Sequence, residues 1–355
     1  MADITPARAK QLSKALAITK PRNAYGVNVI ELHADRSGLR VQIRDSGGDF
    51  SVVTLSEEAQ PVSIHQLSRE ALTVWCKSLK AKDALAVTLD ADTVSLSRNG
   101  LVTSGLAADI VDTSGVIDTA AISESLTGIA VPWPELPAVL LAAGSDDTLP
   151  ALTAVSIRYG DVGTARLAAT DRYRMVISDA DTLHYDGHAL VPAAWLGKVT
   201  KQLGGGILGL TGEYVVVADD NDTSWLMGTR LLDADYPKVD SLVRDSSPIG
   251  LVFDSAALRD AVKLIAPSIA KNNPVMLDLE LGVLRTLEGE TTVPIPTYSG
   301  ESDGLVIGFN PAYLVDSLAG ITGSVRFDMD SAGKPAIITS DSTNTTRVLM
   351  PVRQR

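Results

Sequence analysis

The sequence predicts an α+β fold built from three similar domains, and two observations carry that expectation. Helical segments of two kinds recur along the chain at intervals of roughly 120 to 130 residues, a period far too long for a solenoid. Between them lie short apolar segments, alternating or continuous, that end in Gly, Asp, Asn and Ser turns. Polar connectors around residues 120–127 and 245–248 then divide the chain into residues 1–121, 122–247 and 248–355.

The first kind of helix is expected at Pro6–Leu16, Trp133–Ala143 and Ser255–Ala266, and the second at Ile64–Leu79, Pro192–Leu203 and Asn310–Leu318. Apolar stripes at three- and four-residue spacing define them: Ala9, Leu12 and Leu16 in the first, and Leu258, Val262, Ile265 and Ile269 in the fifth in chain order. Leu72, Trp75 and Leu79, and Leu196, Val199 and Leu203, do the same for two others. Strands are expected at Val27–Leu32, Leu39–Ile43, Val87–Leu89, Val94–Leu96, Val155–Ile157, Leu208–Leu210, Tyr214–Val217, Met276–Leu279 and Ala336–Ile338.

Opposite four of the stripes stand basic pairs: Lys10 and Lys14, Lys77 and Lys80, Lys198 and Lys201, Arg259 and Lys263. The chain as a whole is acidic, with a net charge of -12, which a simple DNA-coating protein would not carry. Basic helix faces within an acidic shell attract phosphate without locking onto it. The pattern is incomplete, because the Trp133–Ala143 helix carries Glu135 and the Asn310–Leu318 helix carries Asp316.

Composition excludes several classes. With 355 residues the chain can bury more than one core. A single cysteine, Cys76, precludes an internal disulfide, and four scattered histidines offer no zinc-ligand spacing. The start Met-Ala-Asp-Ile-Thr-Pro lacks a basic-then-apolar signal pattern, and no apolar run is long enough to span a bilayer. These features lead us to expect a reduced, cytoplasmic protein with no membrane partner. The glycine run at 204–206 follows a helix and precedes a strand, the reverse of a phosphate-binding loop. Asp219-Asp-Asn-Asp222 lacks the glycine and the terminal glutamate of a calcium loop. No nucleophile–histidine motif is present, so neither a catalytic residue nor a metal or cofactor is expected.

The most informative stretch is Arg166-Leu-Ala-Ala-Thr-Asp-Arg-Tyr-Arg-Met175. Apolar strand residues flank a polar turn in which Thr170 and Asp171 can bond the backbone. Tyr173 and Arg174, types favoured at binding hot spots, are left on a rim beside buried strands. This stretch resembles the central signature of the bacterial sliding clamp, the beta subunit of DNA polymerase III, in an actinobacterial-like variant. Three further segments follow in the family's order: Thr229-Arg-Leu-Leu-Asp-Ala-Asp-Tyr-Pro237, Ile307-Gly-Phe-Asn-Pro-Ala-Tyr-Leu314 and Val348-Leu-Met-Pro-Val-Arg353. In residues 1–121 the resemblance is confined to the Lys20–Arg22 region, a divergence that fits a phage-encoded or otherwise specialised clamp.

The resemblance implies three clamp domains per chain and a homodimeric ring around double-stranded DNA, with helices lining it and sheets outside. It implies a non-catalytic processivity factor that tethers a replicative DNA polymerase and depends on a separate clamp loader. Lys20 and Arg22 join the helix pairs as DNA-facing residues. Partners of Gln-Leu-x-Leu-Phe type would dock in a pocket whose wall is Thr170, Arg172, Tyr173, Arg174 and Met175. Pro237 and Leu242 would contribute from one side, and Leu152 from another. Val348, Leu349, Met350, Pro351, Val352 and Arg353 would form the floor, with Asn310 and Tyr313 at the edge. Met175 and Met350 give such a pocket adaptable walls. Arg172 and Tyr173 replace smaller or imidazole residues of many clamps, and Ser241 replaces a residue that is often basic. The alternative is a clamp-like protein that forms no ring and captures clamp-interaction peptides as a competitor or regulator.

Overall fold

The computed structural model describes residues 2–19, 28–45, 47–60, 62–67, 69–78, 85–90, 93–98, 101–104, 127–130, 133–161, 164–181, 187–203, 205–219, 222–239, 242–243, 247–296, 298–300 and 302–352. Among these residues six α-helices are found: α1 Pro6–Ile18, α2 Arg69–Ser78, α3 Leu136–Ala142, α4 Ala193–Gln202, α5 Ser255–Ile265 and α6 Pro311–Asp316. Local chemistry sets where they start. Thr5 caps α1 with Pro6 behind it, the Asp254 carboxylate accepts from Ala257 N at 2.8 Å, and Asn310 caps α6 ahead of Pro311. The stripes read from the sequence are buried, including Leu12 and Leu16 in α1, Leu196 and Val199 in α4, and Leu258, Val262 and Ile265 in α5.

One expectation needs correction. The helix expected from Ile64 begins only at Arg69, because Ser63–Gln66 is a strand paired with Asn28–Asp35. There Leu32 faces His65 and His33 faces Ile64, so a ladder takes these residues and the helix must follow it.

The chain forms two compact units. Residues 1–131 and 194–231 make the first, which holds an eight-stranded antiparallel sheet. Its order is Ser63–Gln66, Asn28–Asp35, Gly38–Asp45, Phe50–Ser56, Asp222–Arg230, Tyr214–Asp219, Ile207–Leu210 and Thr127–Ala130. The central junction pairs Phe50 with Gly228 and Val53 with Trp225. A Cβ at Gly228 would lie 2.2 Å from the Phe50 ring, so the glycine gives that ring room to cross the ladder. Phe50 then meets Tyr214 edge-on, with centroids 5.7 Å apart. A four-stranded sheet, Ala2–Ile4, Leu85–Asp90, Thr93–Arg98 and Leu101–Ser104, completes this unit.

Residues 132–193 and 232–355 make the second unit. Its nine-stranded sheet runs Gly187–Pro192, Ala154–Asp161, Thr164–Thr170, Arg174–Asp181, Thr345–Leu349, Ala336–Thr339, Ser324–Met329, Ile249–Asp254 and Tyr298–Ser299. A smaller sheet, Thr292–Pro294, Val283–Arg285, Val275–Asp278 and Val306–Phe309, shares a core with α5 and α6. Buried Arg347 stands behind this core and donates to the carbonyls of Ser317 at 3.0 Å and Ala319 at 2.6 Å, which satisfies backbone acceptors just beyond α6. The second unit carries the candidate site.

Candidate functional site

The site is built where Arg174–Asp181 pairs with the C-terminal strand Thr345–Leu349, with Arg174 opposite Leu349 and Met175 opposite Val348. Alternation then sorts the side chains. Met175 and Val348 share one face with Ala168, Ile177 and Val239 in a small buried cluster, against which Tyr236 and Val243 pack. Leu349 points the other way, into the core beneath α5 and α6. Its assignment to the pocket floor is therefore corrected: a neighbouring residue on a strand cannot line the same face.

Between the strands, Arg172 and Tyr173 form a two-residue hairpin loop. Thr170 Oγ1 donates to the Arg174 carbonyl at 2.8 Å and accepts from Arg172 N at 3.1 Å. The Asp171 carboxylate accepts from Tyr173 N at 2.9 Å, from Arg174 N at 3.0 Å and from Arg174 Nε at 3.0 Å. Arg172 has φ +79°, and Tyr173 is not among the residues with positive φ, the order found in a type II′ turn, which favours glycine at its first central position. The loop is pinned on its outer side by Met350 N, which donates to the Tyr173 carbonyl at 2.9 Å.

Two hollows flank the loop. The first encloses about 210 Å³ and is lined by Thr170, Arg172, Arg174, Met175, Pro237, Lys238, Val239, Leu242, Val348 and Met350. The second encloses about 240 Å³ and is lined by residues 143–146 with Leu149, Leu152, Asp171, Arg172, Tyr173, Arg174 and Tyr313. Arg172 and Arg174 line both.

Arg174 is held from several sides. Its guanidinium bonds Asp171 and Asp316 and lies over the Tyr313 ring, 4.4 Å from the centroid. The Tyr173 ring stacks on the same Tyr313 at 6.2 Å. Burial, then the charge of Asp171, push the Tyr313 hydroxyl's pKa up, while Arg174 acts in the opposite sense. Tyr236, whose hydroxyl donates to the Ala168 carbonyl at 3.2 Å, is likewise pushed up by burial.

Of the expected pocket residues, Leu152, Thr170, Arg172, Tyr173, Arg174, Met175, Pro237, Leu242, Tyr313, Val348 and Met350 thus line one hollow or both. Asn310 acts indirectly: its side chain accepts from Ala312 N at 2.9 Å and Tyr313 N at 3.2 Å, fixing the helix start that presents Tyr313. Pro351 and Val352 are half-buried, and Val352 N donates to the Gly308 carbonyl at 2.8 Å. Arg353 and Ser241 lie outside the described residues. Sequence reasoning missed Lys238, Val239, Leu149, Asp146 and Asp316 as site residues. Only Asp316 had a signal, as an acid on a helix where a base was sought.

The basic helix positions are mixed. Lys10, Lys77, Lys201 and Lys263 are exposed and Arg259 is half-buried, while Lys20, Arg22 and Lys80 lie outside the described residues. Two lysines are already engaged within the first unit. Lys14 donates to the Gln202 carbonyl at 2.7 Å and lies over Trp225 at 5.6 Å. Lys198 donates to the Asp49 carboxylate at 2.8 Å and to the Ile18 carbonyl at 2.9 Å. The expectation of four freely exposed pairs is narrowed accordingly.

Among the described residues, no cluster of three or more His, Cys, Asp or Glu side chains is placed to hold a metal, and no helix is long and apolar enough to cross a membrane. Burial pushes the Cys76 thiol up to about 12, so it is a poor nucleophile at neutral pH.

No protein-family model matches the chain. It is 34% identical over 221 residues to the beta sliding clamp of Streptomyces coelicolor, covering 56% of this chain and 57% of that protein. It is 33% identical over 174 residues to the beta sliding clamp of Micrococcus luteus, covering 46% and 51%. The chain thus spans about half the length of the curated relatives it matches. In three dimensions it superposes on the DNA polymerase III subunit beta of Pseudomonas aeruginosa with a TM-score of 0.81 at 18% identity, covering 99% of this chain and 100% of that one. A DnaN sliding clamp from the same organism, solved bound to griselimycin, gives a TM-score of 0.80 at 19% identity, with 99% of each chain covered. The chain thus shares the fold of these DNA polymerase III beta subunits along nearly its whole length, and over a little more than half of it is similar in sequence to beta sliding clamps.

Proposed function

We propose that the protein is a sliding clamp, a homodimeric ring that encircles duplex DNA without reading its sequence and tethers a replicative polymerase through short apolar peptides. It performs no reaction of its own, and a separate clamp loader closes it on DNA. Residues 1–121, 122–247 and 248–355 are its three clamp domains, and the cytoplasm is its compartment.

One observation carries this reading: an apolar hollow walled by Met175, Pro237, Val239, Leu242, Val348 and Met350 in a fold shared with clamps. An amphipathic peptide needs a preformed concavity of that kind, with a few polar groups at its rim. Arg172, Arg174 and Lys238 supply that rim. A clamp of the same fold has been solved with griselimycin bound, which supports a ligand-binding role for the fold. For DNA, the exposed Lys10, Lys77, Lys201 and Lys263 are the best candidates. They suit loose phosphate contact as flexible point charges.

The test is removal of Met350–Arg355, with a Gln-Leu-x-Leu-Phe peptide titrated calorimetrically. Binding should vanish while the melting transition persists, since the core residues Val348 and Leu349 remain; undiminished binding refutes the pocket. Light scattering separates the ring from the ringless competitor. Twice the chain mass of 37.4 kDa supports the ring, and a stable monomer removes it.

A further inference from the structure

We propose that a row of basic side chains on the nine-stranded sheet, His188, Arg158 and Arg166, docks an acidic segment of a partner protein. The row shares no residue with either hollow, so it stands or falls apart from the peptide pocket. Register places it. His188 lies opposite Arg158, Arg158 opposite Arg166, and Arg166 opposite Asp179, on four consecutive strands. Residues opposite one another on a ladder share a face, so all four project from the face that carries Ala168, Met175, Ile177 and Val348. Part of that face is covered. Leu232 N donates to the Leu190 carbonyl at 2.9 Å, the Tyr236 hydroxyl donates to the Ala168 carbonyl, and Val239 packs with Met175 and Val348. Two residues further along each strand, His188, Arg158, Arg166 and Asp179 are all exposed.

The His188 ring is anchored by Ser156 Oγ, a buried hydroxyl 2.9 Å from Nε2, and lies 6.4 Å from the Tyr236 ring. Burial, then the charge of Arg158, lower its pKa, so at neutral pH the charge of the row sits on the two arginines. Like charges directly opposite on an antiparallel pair, with Cβ atoms about 5 Å apart, repel each other. A carboxylate relieves that repulsion, and a guanidinium fork takes one in two bonds. Asp179 demonstrates the fit, its two oxygens accepting from Arg166 Nε at 2.8 Å and Nη2 at 3.4 Å. Both members of that pair are exposed, so it is weak and an incoming carboxylate can displace it.

Charge also decides between an acidic protein segment and nucleic acid. The chain carries -12 overall and Asp179 ends the row, so an evenly charged phosphate backbone would meet repulsion at the site itself. A short run of Asp and Glu can place its carboxylates on the two arginines alone.

The experiment uses the full chain and a fluorescein-labelled Glu-Asp-Glu-Asp-Glu-Asp peptide, followed by anisotropy at low and high salt, with labelled single-stranded oligo-dT in parallel. The peptide should bind at low salt and weaken as salt rises. Arg158→Gln combined with Arg166→Gln should weaken it about tenfold while melting with the parent, since both side chains are exposed. Asp179→Asn removes the internal rival and should tighten binding about threefold. Asp328→Asn makes the same change of charge beside Arg326, on the same sheet face, and should leave binding unaltered, which separates the row from general charge. Absence of peptide binding to the parent, undiminished binding in the double variant, or equal responses to Asp179→Asn and Asp328→Asn overturn the proposal. Oligo-dT that binds more tightly than the peptide, and is lost in the double variant, overturns the choice of partner.

Discussion

The Arg174 guanidinium lies 4.4 Å from the centroid of the Tyr313 ring, joining a strand that begins at Arg174 to a helix that begins at Pro311. Asp171 closes the same contact from within the loop, and Asp316 closes it from one turn further along α6. Together with the Tyr173–Tyr313 stack, this side chain ties the loop to the helix, and the wall between the two hollows leans on it.

Replacing Arg174 by Ala therefore removes a cation–π contact and the ion pairs to Asp171 and Asp316, leaving Asp171 only its backbone donors. The expected loss is about 2 kcal/mol in urea unfolding, with peptide affinity reduced roughly tenfold. Arg174→Lys keeps the charge but not the planar fork, so it should recover only part of both losses. An Ala variant with parental stability and affinity would show that the contact does not hold the wall.

Lys198 gives a different outcome from its neighbour Lys201. The Asp49 carboxylate, 1% exposed, is satisfied by Lys198 at 2.8 Å and by Thr229 Oγ1 at 2.9 Å. Lys198→Ala strands that buried charge and should cost on the order of 3 kcal/mol. Lys201 is exposed, and Lys201→Ala should change stability by less than about 0.5 kcal/mol while shortening residence on nicked circular DNA. Urea unfolding of both variants checks the first statement, and a clamp-loading assay checks the second.

Acid sensitivity should centre on Glu31. Burial raises the pKa of this carboxyl, but the hydrogen bond from His33 at 2.9 Å and the Arg44 guanidinium at 2.9 Å outweigh it, leaving it below the ordinary 4.5. A folded-state pKa below the unfolded one stabilises the protein fully above the unfolded value, and that contribution is lost as pH falls through the folded pKa. The melting temperature should thus fall on acidification below about pH 5. Glu31→Gln should melt lower than the parent at neutral pH and show a flatter acid limb. Parallel acid limbs in the two proteins would remove Glu31 from this role.

Much of the local architecture is legible in the sequence because it rests on short-range physics. Leu258, Val262 and Ile265 mark one face of a helix by their spacing, and Asp254 and Asn310 mark starts because their side chains can accept orphan backbone N–H groups. The turn at Thr170–Arg174 is written in residues that bond their own backbone. The same logic misleads at Ile64, where an apolar pattern serves a strand ladder and not the helix beside it. What only the tertiary structure decides is which distant segments meet. The pairing of Met175 with Val348, the bond from Arg174 to Asp316 across 142 residues and the bond from Lys198 to Asp49 across 149 have no local signature. Periodicity tells which face of a strand is apolar, but register and partner are set by the mutual fit of whole sheets. That fit sends Val348 to the pocket and Leu349 to the core, and ties the half-buried Lys198 to Asp49 while leaving Lys201 exposed.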